Sequence, residues 1–248
     1  MRVLVTGSTD GLGLAAAEAL LKEGHDVVVH ARTGSRAGAL APLTAQGAGL
    51  VVGDLEDRQA VLRIATGLNA GGTPDAVIHN AGVWSGTAVM PVNVIAPYLL
   101  TALLEGPRRH VYLSSGSHYS GRPSLDGVDW RGRTPGHYGD SKLFLTAFSA
   151  ALARLRPDVL SNAVDPGWVP TRMGGPDAPD DLDLGHRTQV WLATGEDPEA
   201  LTTGGYWFHR RRRQPHDAVR DIAFQDRLLE ALAGETGVSL PVGRPDGR

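Results

Sequence analysis

The chain has 248 residues, a net charge of −3 and no cysteine. This length is typical of one α/β domain, and 42% hydrophobic with 21% charged residues is an ordinary globular composition. The small net charge provides no field for binding nucleic acid or a membrane surface. The lack of cysteine excludes disulfides, thiolate metal sites and a cysteine nucleophile, and no metal-ligand spacing stands out among the histidines.

No apolar run reaches the length of a membrane span. The first predicted strand begins at the second residue, which leaves no room for a signal peptide, so we expect a cytoplasmic protein. Residues 1–233 are predicted to form the domain. Residues 234–248 are rich in glycine and proline, and we expect them to be a C-terminal tail with a composition typical of disorder.

Short apolar runs of strand type alternate with helical patterns along most of the chain. These runs occupy residues 3–5, 27–29, 50–52, 76–78, 111–113 and 159–164. Such alternation predicts βαβ units and a doubly wound, Rossmann-like α/β fold with helices on both faces of a parallel sheet. Residues 204–208 predict a seventh strand, and residues 224–232 predict a closing helix.

A glycine-rich turn joins the first strand to the first helical pattern. Gly7, Gly11 and Gly13 follow Val5 and precede an apolar helical stripe. A strand, a glycine turn and a helix in this order aim backbone N–H groups and the helix dipole at a phosphate. Gly7 allows the tight turn, Gly11 lets backbone approach a pyrophosphate, and Gly13 lets the helix pack close to the strand. A βα turn without a ligand is the alternative, and the flanking strand and helix favour nucleotide binding.

Tyr138 and Lys142 lie one turn apart on one face of a further predicted helix. We expect that helix to begin with Thr134 as its N-cap and Pro135 at its first position. Lys142 is one of only two lysines among 24 basic residues, which indicates a role for a compact ammonium group beside another side chain. An exposed pair without function is the alternative, and a chance match of this kind has a probability of roughly one in twenty-five.

The spacing Gly-x3-Gly-x-Gly with Thr6 in front resembles the T-G-x3-G-x-G loop of the short-chain dehydrogenases/reductases. Further segments resemble motifs of that family in the family's order. They are Asn80-Ala81-Gly82, Asn93–Thr101, Tyr138-x3-Lys142 and Pro166–Thr171. The resemblance covers residues 1–232. It implies that the protein transfers a hydride between a nicotinamide cofactor and a small carbonyl or alcohol substrate.

The resemblance implies four catalytic residues. Tyr138 would exchange a proton with the substrate oxygen, and Lys142 would hold the nicotinamide ribose and, with the positive charge of bound nicotinamide, lower the pKa of Tyr138 from about 10. Ser115 would donate a hydrogen bond to the developing alkoxide. Asn93 would position a water for proton relay. Ser115 is preferred to Ser114 because the family's catalytic serine is generally the second of the pair.

The end of the second strand predicts NADP(H) as the cofactor. Ala31 occupies the position where an acidic residue would hold the ribose of NAD, and Arg32 offers a planar guanidinium suited to a 2′-phosphate. A solvated loop arginine is the alternative. Ser8 and Thr33 could add hydroxyl donors, whereas Asp10 would weaken the preference for phosphate.

The resemblance also assigns roles further along the chain. Asp54 would bind the adenine amino group with Leu55 beside it, and Asp54 could also cap the following helix. Asn80 would tie neighbouring strands, and Thr171 would hold the nicotinamide carboxamide. The complete cofactor-binding set is Gly7, Ser8, Gly11, Leu12, Gly13, Arg32, Thr33, Asp54, Leu55, Asn80, Ala81, Gly82, Tyr138, Lys142, Pro166, Gly167, Val169 and Thr171.

Two other functions stay open. A non-catalytic NADP(H) sensor would keep the fold, but the set of Ser115, Tyr138 and Lys142 argues against it. A nucleotide-sugar epimerase or dehydratase would hold NAD tightly, but the glycine spacing and Arg32 argue against it. Candidates for an apolar substrate pocket are Trp84, His118, Tyr119, Trp130, Trp168 and Met173.

Two segments are relevant to binding of nucleic acid and to association between copies of the chain. His209–Arg213 is strongly basic, and we expect a solvated loop because nucleic-acid binding needs a wider basic face. The segment between Gly82 and Asn93 is shorter than the family's usual one, which affects the outer wall of the substrate pocket and any dimer contact of the fourth helix. The resemblance leaves a homodimer or a homotetramer open.

Overall fold

One sheet organises the computed structural model, which describes residues 1–241. Its strands are Arg2–Val5 (β1), Asp26–Ala31 (β2), Gly49–Val52 (β3), Ala76–His79 (β4), Arg109–Leu113 (β5), Leu160–Asp165 (β6), Tyr206–Phe208 (β7) and Arg211–Arg213 (β8). Their order is β3-β2-β1-β4-β5-β6-β7-β8. The first seven are parallel, and β8 is antiparallel to β7. All seven predicted strands are present.

Helices cover both faces of the sheet, which confirms the predicted doubly wound α/β fold. They are Gly11–Lys22 (α1), Gly34–Ala37 (α2), Ala41–Ala45 (α3), Arg58–Gly71 (α4), Ala96–Leu103 (α5), Tyr138–Leu155 (α6), Leu182–Thr194 (α7) and Ile222–Thr236 (α8). On one face α1, α3 and α7 pack, and on the other α4, α5, α6 and α8. Within residues 1–241, none of the helices combines the length and the apolar character that a membrane crossing requires.

The central position of β1 in the sheet explains why its sequence is apolar at successive residues, without alternation. Val3, Leu4 and Val5 are each fully buried because helices cover both faces of the strand. On one face α1 buries Ala16, Ala17 and Leu20, the apolar stripe that follows the glycine turn. The carboxyl end of β1 therefore sits between two packed layers, and the turn after it is held in a fixed position.

Helix α6 is enclosed along most of its length. Fourteen of its 18 residues are buried, because α8 and two 3₁₀ turns, Gly116–Ser120 and Asp217–Arg220, cover its outer side. The helix begins at Tyr138. His137 is its N-cap, and the His137 ring accepts a hydrogen bond from the Asp140 N–H. The predicted cap at Thr134 and Pro135 is therefore wrong.

The C-terminal part of the chain differs from its predicted boundary. α8 runs to Thr236, beyond the predicted end of the domain at 233, and stops at Gly237, which has a φ of 71°. The predicted tail over 234–248 thus begins inside a helix. Val238 is held by a hydrogen bond of 2.6 Å from the Tyr98 hydroxyl to its carbonyl. Residues 242–248 lie outside the described residues.

The basic segment forms a hairpin, so the predicted loop is wrong for its second half. Arg211–Arg213 is β8, paired with Tyr206–Phe208. His209 and Arg210 make the two-residue turn, with φ values of 47° and 58°. Such values fit the right-handed twist of a two-residue hairpin, although glycine or asparagine adopts them more easily. The three arginines of β8 are exposed, as we expect of a solvated segment.

Candidate active site

A cleft of about 530 Å³ opens at the carboxyl ends of the parallel strands. It lies where the strand order reverses between β1 and β4, the usual ligand position of open α/β sheets. Thirteen of the 18 predicted cofactor residues line it: Gly7, Gly11, Leu12, Arg32, Asp54, Leu55, Asn80, Ala81, Gly82, Tyr138, Lys142, Pro166 and Thr171. Most of the predicted cofactor-binding residues therefore lie together around one cleft.

The glycine turn is closely packed at the base of this cleft. A Cβ on Gly13 would lie 2.3 Å from the Gly7 carbonyl oxygen, so α1 can approach the turn only with glycine at that position. Gly7 has a φ of 67°, which favours glycine. The Asn80 amide donates hydrogen bonds of 2.9 and 3.1 Å to the carbonyls of Thr6 and Gly7. Asn80 thus ties β4 to β1, as the resemblance implied.

His30, which the predicted set lacked, also holds this turn. Its Nδ1 accepts a hydrogen bond of 3.0 Å from the Gly7 N–H, and its Nε2 donates to the Gly53 carbonyl at 2.8 Å. The ring therefore bridges the turns after β1 and β3. Burial lowers the pKa of His30, which keeps the ring neutral and able to accept. A polar residue inside the apolar β2 was the available sequence signal.

Neither of the two predicted hydroxyl donors, Ser8 and Thr33, lines the cleft. The Ser8 side chain is fully buried, donates to the Val5 carbonyl at 2.5 Å and accepts from the His30 N–H at 3.1 Å. It therefore cannot reach a phosphate, and this expectation is wrong. The Thr33 hydroxyl lies 2.9 Å from that of Ser35 outside the cleft lining.

Two arginines, each beside a carboxylate, stand at the end of β2. Arg32 lies 3.7 Å from Asp54, and its side chain is 61% exposed. Arg36, which the predicted set lacked, donates to Asp10 at 2.8 Å and to the Thr9 hydroxyl at 3.0 Å. Asp10 is thus partly neutralised, which reduces its expected effect on phosphate binding. A second arginine four residues after Arg32 was the sequence signal for this site.

Asp54 does not cap α4, contrary to one of its two predicted roles. Asp57 is the N-cap and accepts a hydrogen bond of 2.9 Å from the Gln59 N–H. Asp54 instead accepts from the Glu56 N–H at 3.0 Å in a turn. Asp54 and Leu55 both line the cleft.

The loop after β6 closes the other side of the cleft. Pro166 and Thr171 line the cleft, and a Cβ on Gly11 would lie 3.0 Å from the Thr171 side chain. Val169 is buried and packs near Gly185 of α7. Gly167, with a φ of 84°, turns the chain between these contacts. Gly167 and Val169 therefore shape the loop and stand behind the cleft wall.

Tyr138 and Lys142 meet on one face of α6 as predicted. The Lys142 nitrogen lies 5.4 Å from the centre of the Tyr138 ring and donates a 2.6 Å hydrogen bond to the Leu113 carbonyl at the end of β5. Lys142 is 4% exposed. Burial lowers the pKa of Lys142 to about 8, and the charge of Asp165 opposes that shift. The ammonium group is therefore fixed in place at the floor of the cleft.

In the chain alone, the pKa of Tyr138 lies above its ordinary value. Burial raises the pKa of Tyr138 to about 12, a hydrogen bond with Ser115 opposes the shift, and the charge of Asp165 adds to it. The chain alone thus holds Tyr138 as a neutral phenol, which is the proton-donating form.

The two neighbouring serines have different surroundings. The Ser114 hydroxyl is buried and shares a 2.6 Å hydrogen bond with Thr146. The Ser115 hydroxyl accepts from the Ser117 N–H at 3.1 Å and lies beside Tyr138. Ser114 is the one of the two that lines the cleft, whereas Ser115 lies next to the Tyr138 phenol and keeps its own proton to donate.

Asn93 lies in a π-helical segment, Pro91–Ile95, that leads into α5. The Val83 N–H donates to its side-chain oxygen at 2.8 Å, and its amide donates to the Ser141 hydroxyl at 3.0 Å. Pro97 has no N–H to form the usual helical bond with the Asn93 carbonyl. π-Helical turns of this kind occur frequently at functional sites.

The predicted substrate-pocket residues divide into two groups. Trp130 and His118 are buried, and Trp130 packs against Phe144 with ring centres 5.7 Å apart, so neither is free to line an open pocket. Trp84 lines the cleft with its ring centre 4.4 Å from that of Tyr138. Four of the six are exposed: Trp84, Tyr119, Trp168 and Met173.

Comparison with known proteins agrees with this arrangement. Residues 1–102 match the family model described as short chain dehydrogenase. The short-chain dehydrogenase chry4 of Gibberella zeae is 35% identical over 257 aligned residues, which cover 97% of this chain and 98% of that protein. The chain belongs to the short-chain dehydrogenase/reductase family. This short-chain dehydrogenase/reductase is accordingly an oxidoreductase.

Solved structures share the fold of this short-chain dehydrogenase/reductase. A protein from Mycobacterium paratuberculosis has a TM-score of 0.81 and 23% identity, over 97% of this chain and 95% of its own. Pseudomonas aeruginosa RhlG, described as an NADP active-site complex, has a TM-score of 0.67 and 24% identity, over 84% of this chain and 93% of its own. At these identities the likeness concerns the fold.

Proposed function

We propose that this chain is an NADP(H)-dependent oxidoreductase that interconverts a carbonyl and an alcohol. The observation that carries the proposal is the meeting of Ser115, Tyr138 and Lys142 beside a cleft that the glycine turn closes at its other end. A panel of aldehydes and ketones tests it, with the loss of NADPH followed by absorbance. A good substrate should be turned over at about 1–10³ s⁻¹. A non-catalytic sensor would bind NADPH and oxidise none.

NADP(H) fits the residues of the cleft. The first turn of α1 contains no acidic residue, so its N–H groups and dipole can face a pyrophosphate. Arg32 and Arg36 supply two guanidinium groups at the position of the adenosine ribose. The RhlG complex supports this choice of cofactor, since that related fold holds NADP in its active site. When bound, the cofactor supplies or accepts the hydride.

Four side chains handle the proton and the substrate oxygen. Tyr138, held as the neutral phenol, donates its proton to the carbonyl oxygen in reduction and takes one in oxidation. Ser115 donates a hydrogen bond to the same oxygen as charge develops there. Lys142 holds the ribose and stabilises the phenolate left on Tyr138. Asn93 positions a water through its carbonyl, which Pro97 leaves without the usual α-helical donor.

Ser115→Ala should lower kcat by about 10²-fold or more, because it removes a donor to the developing oxyanion. Ser114→Ala is the matched control, since it loses only the internal bond to Thr146. Steady-state kinetics with a ketone substrate measures both. A larger loss in the Ser114 variant would move the catalytic role to that residue.

Wild-type protein should bind NADPH more tightly than NADH by about 10- to 30-fold, from one charge-assisted hydrogen bond to the 2′-phosphate. The double change Ala31→Asp and Arg32→Ile should shift the preference toward NADH, because it removes the cation and introduces a like charge. Intrinsic fluorescence titrations at low and high salt measure the affinities.

Arg36→Ala separates the contributions of the two arginines. If Arg36 is the main phosphate ligand, this variant loses the preference and Arg32→Ala keeps it. Arg63→Ala, an exposed arginine on α4, is the matched control and should change neither affinity. Equal affinities of the wild type for both cofactors would contradict the assignment to NADP(H).

A further inference from the structure

The carboxylate of Asp165 lies beside the catalytic residues and has no part in the reaction proposed above. Asp165 ends β6, directly before Pro166 in the cleft wall. Together with burial, its charge raises the pKa of Tyr138, and it opposes the burial that lowers the pKa of Lys142. The carboxylate is thus within electrostatic reach of both catalytic side chains.

The hydrogen bonds of Asp165 leave acceptor capacity on both oxygens. Oδ1 accepts from the Gly167 N–H at 3.0 Å, and Oδ2 accepts from the Tyr206 hydroxyl at 3.1 Å. A carboxylate offers about four lone-pair positions, so each oxygen can take a further donor. Among the ion pairs within residues 1–241, none includes Asp165. Its negative charge therefore has no ion-pair partner in that range.

Gly116 leaves Oδ2 accessible from the side of Ser115. A Cβ on Gly116 would lie 3.3 Å from this oxygen, closer than an ordinary van der Waals contact. The φ of Gly116 is not positive, so its backbone conformation does not require glycine. Gly116 is exposed and follows Ser115 directly, so Oδ2 lies close to the backbone next to Ser115.

Two aromatic side chains, Tyr206 and His118, lie next to the Asp165 carboxylate. Tyr206, which donates to Oδ2, packs against the His118 ring with centres 4.5 Å apart. A half-buried carboxylate in such a setting is costly unless donors or a cation complete its solvation. A substrate that carries a donor near its carbonyl would complete it, with a charge-assisted hydrogen bond.

We propose that Asp165 binds a hydrogen-bond donor on the carbon next to the substrate carbonyl. The enzyme therefore prefers α-hydroxy and α-amino ketones, and in the oxidative direction 1,2-diols and 1,2-amino alcohols. This assignment rests on the carbonyl–alcohol function proposed above. The donor group stays unchanged in the reaction, and Asp165 acts by binding it.

The test compares three phenyl ketones that differ only on the carbon next to the carbonyl: acetophenone, 2-hydroxy-1-phenylethanone and 2-amino-1-phenylethanone. The measured quantity is the ratio of kcat/KM for each substituted ketone to that for acetophenone, with each protein at its own pH optimum. Asp165→Asn should lower both ratios by about 10- to 100-fold, the value of a charge-assisted hydrogen bond. Its kcat/KM for acetophenone should stay within about threefold.

A second variant tests the same contact without removing the carboxylate. Gly116→Ala covers Oδ2 from the side of Ser115 and should lower the same two ratios. Asp158→Asn is the matched control, because Asp158 precedes β6 at the amino-terminal end of the parallel strands, where it pairs with Arg108 and Arg156. It should leave both ratios unchanged.

Three results would overturn the inference. Unchanged ratios in Asp165→Asn, with acetophenone still reduced, would remove the role of Asp165 and keep the proposed function. An equal loss on all three ketones would show that Asp165 acts on the catalytic groups, without a contact to the substrate donor. Failure of the wild type to reduce any of the three with NADPH or NADH would contradict the proposed function, and the inference with it.

Discussion

Replacing Tyr138 by phenylalanine should lower kcat by about 10²- to 10⁴-fold, the usual contribution of a positioned proton donor. The substitution removes one hydroxyl and keeps the ring, whose packing against Trp84 and position at the start of α6 should not change. The affinity for NADPH should therefore stay close to that of the wild type. Steady-state kinetics with a ketone and a fluorescence titration with NADPH measure the two quantities separately.

Tyr98→Phe is the matched control for this loss. Its hydroxyl donates to the Val238 carbonyl, away from the cleft lining. We expect some loss of stability and normal turnover from this variant. If Tyr138→Phe keeps more than about a tenth of the wild-type kcat, another group transfers the proton, since a positioned donor is worth far more.

Lys142→Arg should also lose most of its turnover, even though it preserves the positive charge. The ammonium group is 4% exposed and donates to the Leu113 carbonyl at 2.6 Å, which leaves no room for a longer, planar guanidinium. Overpacking at a buried site costs about 1–3 kcal/mol, so thermal unfolding should occur at lower temperature as well. The loss in kcat should accompany weaker cofactor binding, because the same group is proposed to hold the ribose.

The only other lysine of the chain provides the control. Lys22 is exposed at the end of α1, so Lys22→Arg should change neither turnover nor thermal stability. Near-normal activity of Lys142→Arg would mean that the site needs positive charge alone, without a fixed ammonium group. Thermal unfolding of both variants, measured beside the kinetics, distinguishes a misfolded protein from an inactive one.

Much of the fold and of the site could be predicted from local patterns. The uninterrupted apolar runs mark strands buried on both faces, and their alternation with helical stripes determines a parallel sheet. Tyr138 and Lys142 meet because a spacing of four residues places two side chains on one helix face. The glycine spacing located the turn at the end of β1, because the positive φ of Gly7 and the close packing of Gly13 against the Gly7 carbonyl both favour glycine.

The remaining features depend on contacts that sequence spacing does not contain. Hydrogen bonds to Val5 and His30 turn the Ser8 side chain inward, so its hydroxyl does not face the cleft. Asp129 accepts a hydrogen bond from the Thr134 N–H, so the predicted N-cap residue lies in a loop before α6. Burial is the largest cause of the raised pKa of Tyr138, and burial depends on how distant segments pack.

The arginines of β8 have a consequence for association between copies of this protein. Within residues 1–241, β8 is the last strand of the sheet, so its outer edge presents backbone groups that could extend the sheet into a second molecule. Pairing two such edges would place Arg211, Arg212 and Arg213 opposite the same three residues of the other copy. Like charges at that distance repel one another, and β8 therefore protects the open end of the sheet from edge-to-edge aggregation.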